Sequence, residues 1–372
     1  MSTSIARLLR RPAASTQSLE SVALLLAGAV LVVVAPVSWL FYRDGEWPIS
    51  GPGSLGQAIA ITSAVVAGAV FVFGRAVVST RAGRAGVTDR AARRGRLRWF
   101  DVAALAIAHA VIALLGWTGL ASVLSLSFID AVVFSVPAAA LTGVAVALTA
   151  YAVFLSSVHM SPMMLSLVLA VFLALGAIAS MLSASDPHWW QMNLSSLGMT
   201  DDLSALAFNL TLIIAGVLVT TIAHYAVSSI PASTPKAVKG RRKVTAMLAL
   251  LGILLACVGV FPVDEYLQAH NLAATGMAIV FTVLVFALPR WLPAAPRPFV
   301  ILGYVDVAII VVMAVFFING YYNLTAVELV VAVLVFGWVI VFLRNPGEAT
   351  PTGPDSGADD GAADVTGADA MR

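Results

Sequence analysis

Long apolar runs, one after another from end to end, constrain this chain more than anything else in it. Ten such runs fall at roughly 21–42, 54–78, 101–124, 131–155, 163–184, 204–229, 244–262, 271–289, 299–319 and 325–343. Crossing the hydrocarbon core of a bilayer as a helix takes about 20 apolar residues. Strand-type alternation is absent, and in lipid only helices or closed barrels satisfy the backbone. The runs therefore predict an all-α fold, a polytopic integral membrane bundle of about ten transmembrane helices.

Composition agrees. The 372 residues are 60% hydrophobic and only 11% charged, whereas a soluble protein carries about a quarter charged residues. A soluble enzyme is excluded. Cys257 is the single cysteine, so an intramolecular disulfide and a thiolate metal cluster are excluded as well. Arginine far outnumbers lysine, and alanine and valine dominate the apolar positions, a codon bias that points to a GC-rich bacterium.

Basic residues set the expected orientation, because cytoplasmic loops collect them. Arg7, Arg10 and Arg11 precede the first run, and Arg81 to Arg98 follow the second. Lys236, Lys239, Arg241, Arg242 and Lys243 follow the sixth, Arg290 and Arg297 the eighth, and Arg344 the tenth. With ten crossings all of these share one side, and the alternate loops hold little besides Arg43. Both termini are thus expected in the cytoplasm, in an inner or plasma membrane. The first run has no small-residue cleavage site after it and reads as a retained anchor.

Three other segments have simple expectations. Residues 1–20 form a cytoplasmic N-terminal segment. The Arg-rich loop 75–98 lies against anionic lipid head groups, each basic residue worth about 1 kcal/mol there. With no stacking aromatics interleaved beyond Trp99 and Phe100, a nucleic-acid partner is not expected. The acidic tail 344–372, rich in Pro, Gly and Ala, lacks the apolar surface to fold and is expected to be disordered.

Polar side chains gather in the outward loops. The stretch "DPHWWQMNLSSLGMTDDLSALAFN" (Asp186 to Asn209) carries His188, Asp201, Asp202 and Asn209, and the next outward loop carries Asp264, Glu265 and His270. His188, Asn209, Asp264, Glu265 and His270 are the candidates for an outer polar site. No pair has the spacing of a zinc-binding H-E-x-x-H, so no metal site is expected, and nothing implies a cofactor. Asp201, Asp202 and Ser204 suit a helix start, where they would cap the sixth span. Trp189 and Trp190 suit the membrane–water interface. Glu328 reads as a helix-start charge on the tenth span.

Within the bilayer, His109 and Asp306 lie at similar depth, on the order of 10–12 Å from the cytoplasmic side at 1.5 Å per residue. An ionisable group there costs a few kcal/mol unless it faces the bundle interior and finds a partner. A His109–Asp306 pair is therefore a candidate, as a structural clamp before a proton relay.

The stretches "SSLGMTDDLSALAFNLTLIIAG" and "GVFPVDEYLQAHNLAATGMAI" resemble a prokaryotic membrane family catalogued as domain of unknown function 998. The residues that carry the resemblance are Ser196 to Gly198 with Ser195 before them, Phe208 and Asn209, Gly216, Phe261 and Pro262, and His270. The resemblance covers roughly 163–343 and implies a six-helix membrane domain, 156–343, with the first four helices, 21–155, as an addition. It implies no reaction, but it raises Asn209 and His270 above the other polar residues. The function expected is a non-enzymatic envelope protein that binds or moves a lipid or small amphiphile, or supports an envelope complex. The alternatives are a membrane enzyme acting on a lipid-linked substrate at the outer leaflet, and an ion- or proton-coupled transporter using His109 and Asp306.

Overall fold

The computed structural model describes residues 16–43, 45–84, 98–199, 203–229 and 234–344. The expectations for the N-terminal arginines, most of the Arg-rich loop, Asp201, Asp202 and the acidic tail lie outside the described residues. Ten helices are long and apolar enough to cross a membrane. They are α1 (Thr16–Tyr42), α2 (Leu55–Arg84), α3 (Trp99–Ser127), α4 (Ser135–Val158), α5 (Pro162–Leu182), α6 (Leu203–Ser229), α7 (Pro235–Val260), α8 (Leu267–Trp291), α9 (Arg297–Ile318) and α10 (Leu324–Arg344). The fold is all-α, and the chain is a multi-pass membrane protein.

Several helices reach beyond the apolar runs that announce them. α7 begins at Pro235 rather than near 244, because Thr234 caps it: its hydroxyl accepts from the Ala237 amide at 3.2 Å, and proline suits the first turn. Lys236 to Lys243, expected in a loop, are therefore helical. α8 begins at Leu267, which puts His270 on its first turn instead of in the preceding loop. Hydropathy marks the lipid-buried stretch, and the polar turns that continue a helix into water escape it.

α1, α2, α3 and α4 pack together, and α3 leads across to α5 and α6. At one end, Trp47–Pro48 (β1) pairs antiparallel with Val132–Val133 (β2), tying the α1–α2 loop to the α3–α4 loop. Beneath that clasp Tyr42 is buried, its hydroxyl 3.2 Å from Thr142 Oγ1. At the other end, Arg75 donates to the Ser157 carbonyl at 2.9 Å, joining α2 to the end of α4.

In the second half α6 is central, packed against α5 and α7 and touching α3 and α10. Its contact with α7 is backbone on backbone. A Cβ built on Gly216 would collide with the Gly252 carbonyl, and one on Gly252 with the Gly216 carbonyl. Small residues that allow such approach stand in for the missing hydrophobic drive between helices in lipid. Leu218, Ile222, Leu248, Phe281 and Trp338 fill the interior nearby.

α9 is among the more exposed helices. Its buried residues are Gly303, Asp306 and Val307, and none from Val311 to Ile318 is buried. Its first half rests on α8 and α10, where the Trp338 ring stacks on Phe299 at 4.6 Å. The second half is apolar on every side, as suits a helix facing lipid.

Candidate functional site

The α5–α6 loop lies at the end of the bundle where α8 and α10 begin. It folds as a 3-10 turn, Trp189–Gln191, and a 3-10 helix, Leu194–Gly198. Ser195, Ser196, Leu197 and Gly198 are buried. A buried loop must have its backbone polar groups satisfied, and here side chains from several helices do it.

His270 of α8 comes from one side. Its Nδ1 is 2.8 Å from the Phe261 carbonyl, and its Nε2 is 2.9 Å from Ser195 Oγ. A carbonyl only accepts, so Nδ1 carries the proton, and in the neutral ring Nε2 then accepts from the Ser195 hydroxyl. The ring is 4% exposed, and both its nitrogens are spent.

α10 supplies further partners. A Glu328 carboxylate oxygen accepts from the Leu194 amide at 2.5 Å, and the Ser195 amide also donates to that carboxylate. Asn323 donates from Nδ2 to the Trp190 carbonyl at 2.8 Å while its Oδ1 accepts from the Ala326 amide and caps α10. From below, Asn209 of α6 donates to the Gly198 carbonyl at 3.1 Å. Gly198 has to be small here, since a Cβ would press on Asn209 Oδ1 and Phe208.

Serines close the base. Ser204 donates to the Ser180 carbonyl at 2.9 Å, and Ser180 donates back to the Ser204 carbonyl at 3.0 Å. Ser204 was expected to cap α6 but sits 1% exposed inside its first turn, cross-bonding α6 to α5 instead.

The sequence candidates therefore divide. Asn209 and His270 converge on one short segment. His188, Asp264 and Glu265 do not join them and stand exposed; His188 Nδ1 is only 3.9 Å from Asp186 Oδ1 at the surface. Trp190 is half exposed, as an interfacial tryptophan would be. Ser195 and Glu328 were missed as site residues. Ser195 adjoins the S-x-L-G pattern, which is a usable signal; Glu328 lies 134 positions from its amide partner, and no local signal marks it.

The proposed partners His109 and Asp306 are not joined. His109 places Nδ1 2.7 Å from the Leu105 carbonyl and Nε2 2.9 Å from Ser156 Oγ, with Phe71 packed on its ring at 4.6 Å. Asp306 is buried where α9 meets its neighbours, and among the described residues no ion pair links the two. Similar depth in the bilayer did not mean the same side of the bundle. Among the described residues, no group of three or more His, Cys, Asp or Glu side chains is placed to hold a metal ion.

Two buried oxygens near the loop lack partners: Asn193 Oδ1, and Thr325 Oγ1 on α10 one turn before Glu328. Buried unpaired oxygens are uncommon in folded proteins.

Residues 167–345 match the family described as protein of unknown function (DUF998). The match covers just under half of the chain. Its span runs from within α5 to just past α10 and contains every residue on which the resemblance rests. Those residues meet in space: Ser195 with His270, His270 with Phe261, Gly198 with Asn209. In this segment Gly216 is the motif residue that lets α6 touch α7. Comparison with curated proteins and with solved structures gives no significant match.

Proposed function

We propose that this chain is a non-enzymatic multi-pass protein of a bacterial plasma membrane, with both termini in the cytoplasm, that binds a membrane lipid or similar amphiphile at the α5–α6 loop end. The observation that carries this reading is the exposed, wholly apolar second half of α9 at the end of the bundle that holds the polar loop. From Val311 to Ile318 no residue of that helix is buried, and it runs toward the end that holds a loop whose polar groups come from α6, α8 and α10. An exposed apolar helix surface that ends near a polar loop suits an acyl chain and its head group. Trp189, Trp190, Tyr321 and Tyr322 near this end favour a membrane–water boundary. The basic residues at the opposite end favour a cytoplasmic side there.

One observation favours catalysis as a second reading. Ser195 Oγ, His270 Nε2 and a backbone carbonyl on Nδ1 form the hydrogen-bond chain of an activated nucleophile. The same chain recurs at Ser156, His109 and Leu105, in the helical interior of α3 and α4. There it serves to join helices. That recurrence supports a structural role for both pairs.

Native mass spectrometry of the full chain released from detergent tests the proposal. A lipid adduct should survive activation that strips annular lipid; a chain stripped bare together with its annulus would overturn it. For the second reading, a fluorophosphonate probe should label wild type but not Ser195→Ala, and lack of labelling ends it.

A further inference from the structure

The lipid-binding reading leaves the head group open, and the oxygens around Glu328 narrow it; this inference rests on that reading. Thr325 and Glu328 stand one turn apart on the same face of α10. The Glu328 carboxylate touches the Leu194 amide at 2.5 Å, and Asn193 is the residue just before it. Asn323, two positions before Thr325, holds the Trp190 carbonyl, so the first turns of α10 lie along residues 190–195. Thr325 is 7% exposed, and its hydroxyl oxygen has no partner; Asn193 Oδ1 is buried and has none either.

The three side chains thus present oxygen. A carboxylate has about four lone-pair sites and accepts only, an amide oxygen accepts only, and a hydroxyl accepts as well as donates. No basic side chain is hydrogen-bonded or ion-paired to Glu328 among the described residues. A ligand complementary to this set carries positive charge and several N–H donors. A primary ammonium has three donors, one for each side chain. A phosphate would meet carboxylate repulsion, and a trimethylammonium would bring charge without donors.

We infer that Glu328, Thr325 and Asn193 form a site for the primary ammonium head group of an aminophospholipid whose chains lie along the exposed half of α9. Charge pairing with Glu328 supplies attraction, and the two unpartnered oxygens select donors over mere charge.

The test uses the full chain in detergent, offered dioleoyl phosphatidylethanolamine, phosphatidylcholine or phosphatidylglycerol at equal concentration, with retained lipid read by native mass spectrometry. Phosphatidylethanolamine should be retained at least tenfold over phosphatidylcholine, which has the same charges but no N–H. Glu328→Gln keeps an oxygen for the Leu194 amide, so its fold is preserved, and it should bring the two lipids level. Thr325→Val should reduce the preference while leaving the thermal midpoint of the lipid-free chain unchanged or higher, since it removes an unpaired buried hydroxyl. Equal retention of phosphatidylethanolamine and phosphatidylcholine by wild type would overturn the ammonium site and leave lipid binding standing. Retention of none of the three would overturn both. If free ethanolamine or sodium raises the midpoint and phosphatidylethanolamine does not, the site takes a soluble cation and the lipid assignment falls.

Discussion

His270 reaches across 75 positions to hold Ser195, Nε2 to Oγ at 2.9 Å, and with its other nitrogen holds the carbonyl of Phe261. One imidazole thereby fixes the start of α8 to two neighbouring segments. Replacing it by alanine strands a hydroxyl and a carbonyl, and unpaired buried groups cost about 1–3 kcal/mol each.

Loss of that ring should lower stability more than loss of its partner. His270→Ala is expected to destabilise by about 2–4 kcal/mol and Ser195→Ala by about 1 kcal/mol, from the same penalties. Together they should fall short of the sum, with a coupling of about 0.5–3 kcal/mol for residues in contact. Thermal unfolding of the four proteins in one detergent measures this; strict additivity would show that the bond contributes nothing.

Gly216 and Gly252 predict a contrast among glycines. A methyl on either meets backbone of the facing helix, so Gly216→Ala and Gly252→Ala should each destabilise by about 1–3 kcal/mol through overpacking. Gly337 has open space around the same position. Gly337→Ala should be neutral or stabilise by up to about 1 kcal/mol through helix propensity. Equal effects at all three positions would contradict the backbone contact.

Glu328 anchors the amides of the loop, and exchange should report it. In Glu328→Ala the Leu194 amide should exchange with deuterium at least tenfold faster, which corresponds to about 1.4 kcal/mol of lost protection. Glu328→Gln should retain most of the protection. Unchanged exchange in Glu328→Ala would show that the carboxylate does not hold the loop.

Orientation is open to a direct check. On a Cys257→Ser background, a membrane-impermeant maleimide added to intact cells should label a cysteine at Gln191 and spare one at Lys239. The opposite pattern would invert the proposed topology.

What the sequence disclosed and what it hid follow from one distinction. Position along the membrane normal is written in the chain: apolar length placed α1 through α10, and residue counting put His109 and Asp306 at similar depth. Angular position around the bundle is not written there, so their equal depth suggested a pair that the packing keeps apart. The same limit hid Glu328, whose partner is an amide set by tertiary contact. Asn209 and His270 were legible only through short motifs, and those motifs mark where the loop is held. The exposed His188, Asp264 and Glu265 shared composition with them and nothing more.

Leu194 and Ser195 are both held through their amides by Glu328 of α10, while the Ser195 hydroxyl is held by His270 of α8. Any wedge that spreads those two helices therefore loads the backbone of Ser195 against its side chain. The loop cannot follow both helices at once. Parting them requires one bond to be surrendered, which makes this junction a mechanical fuse between the two helices.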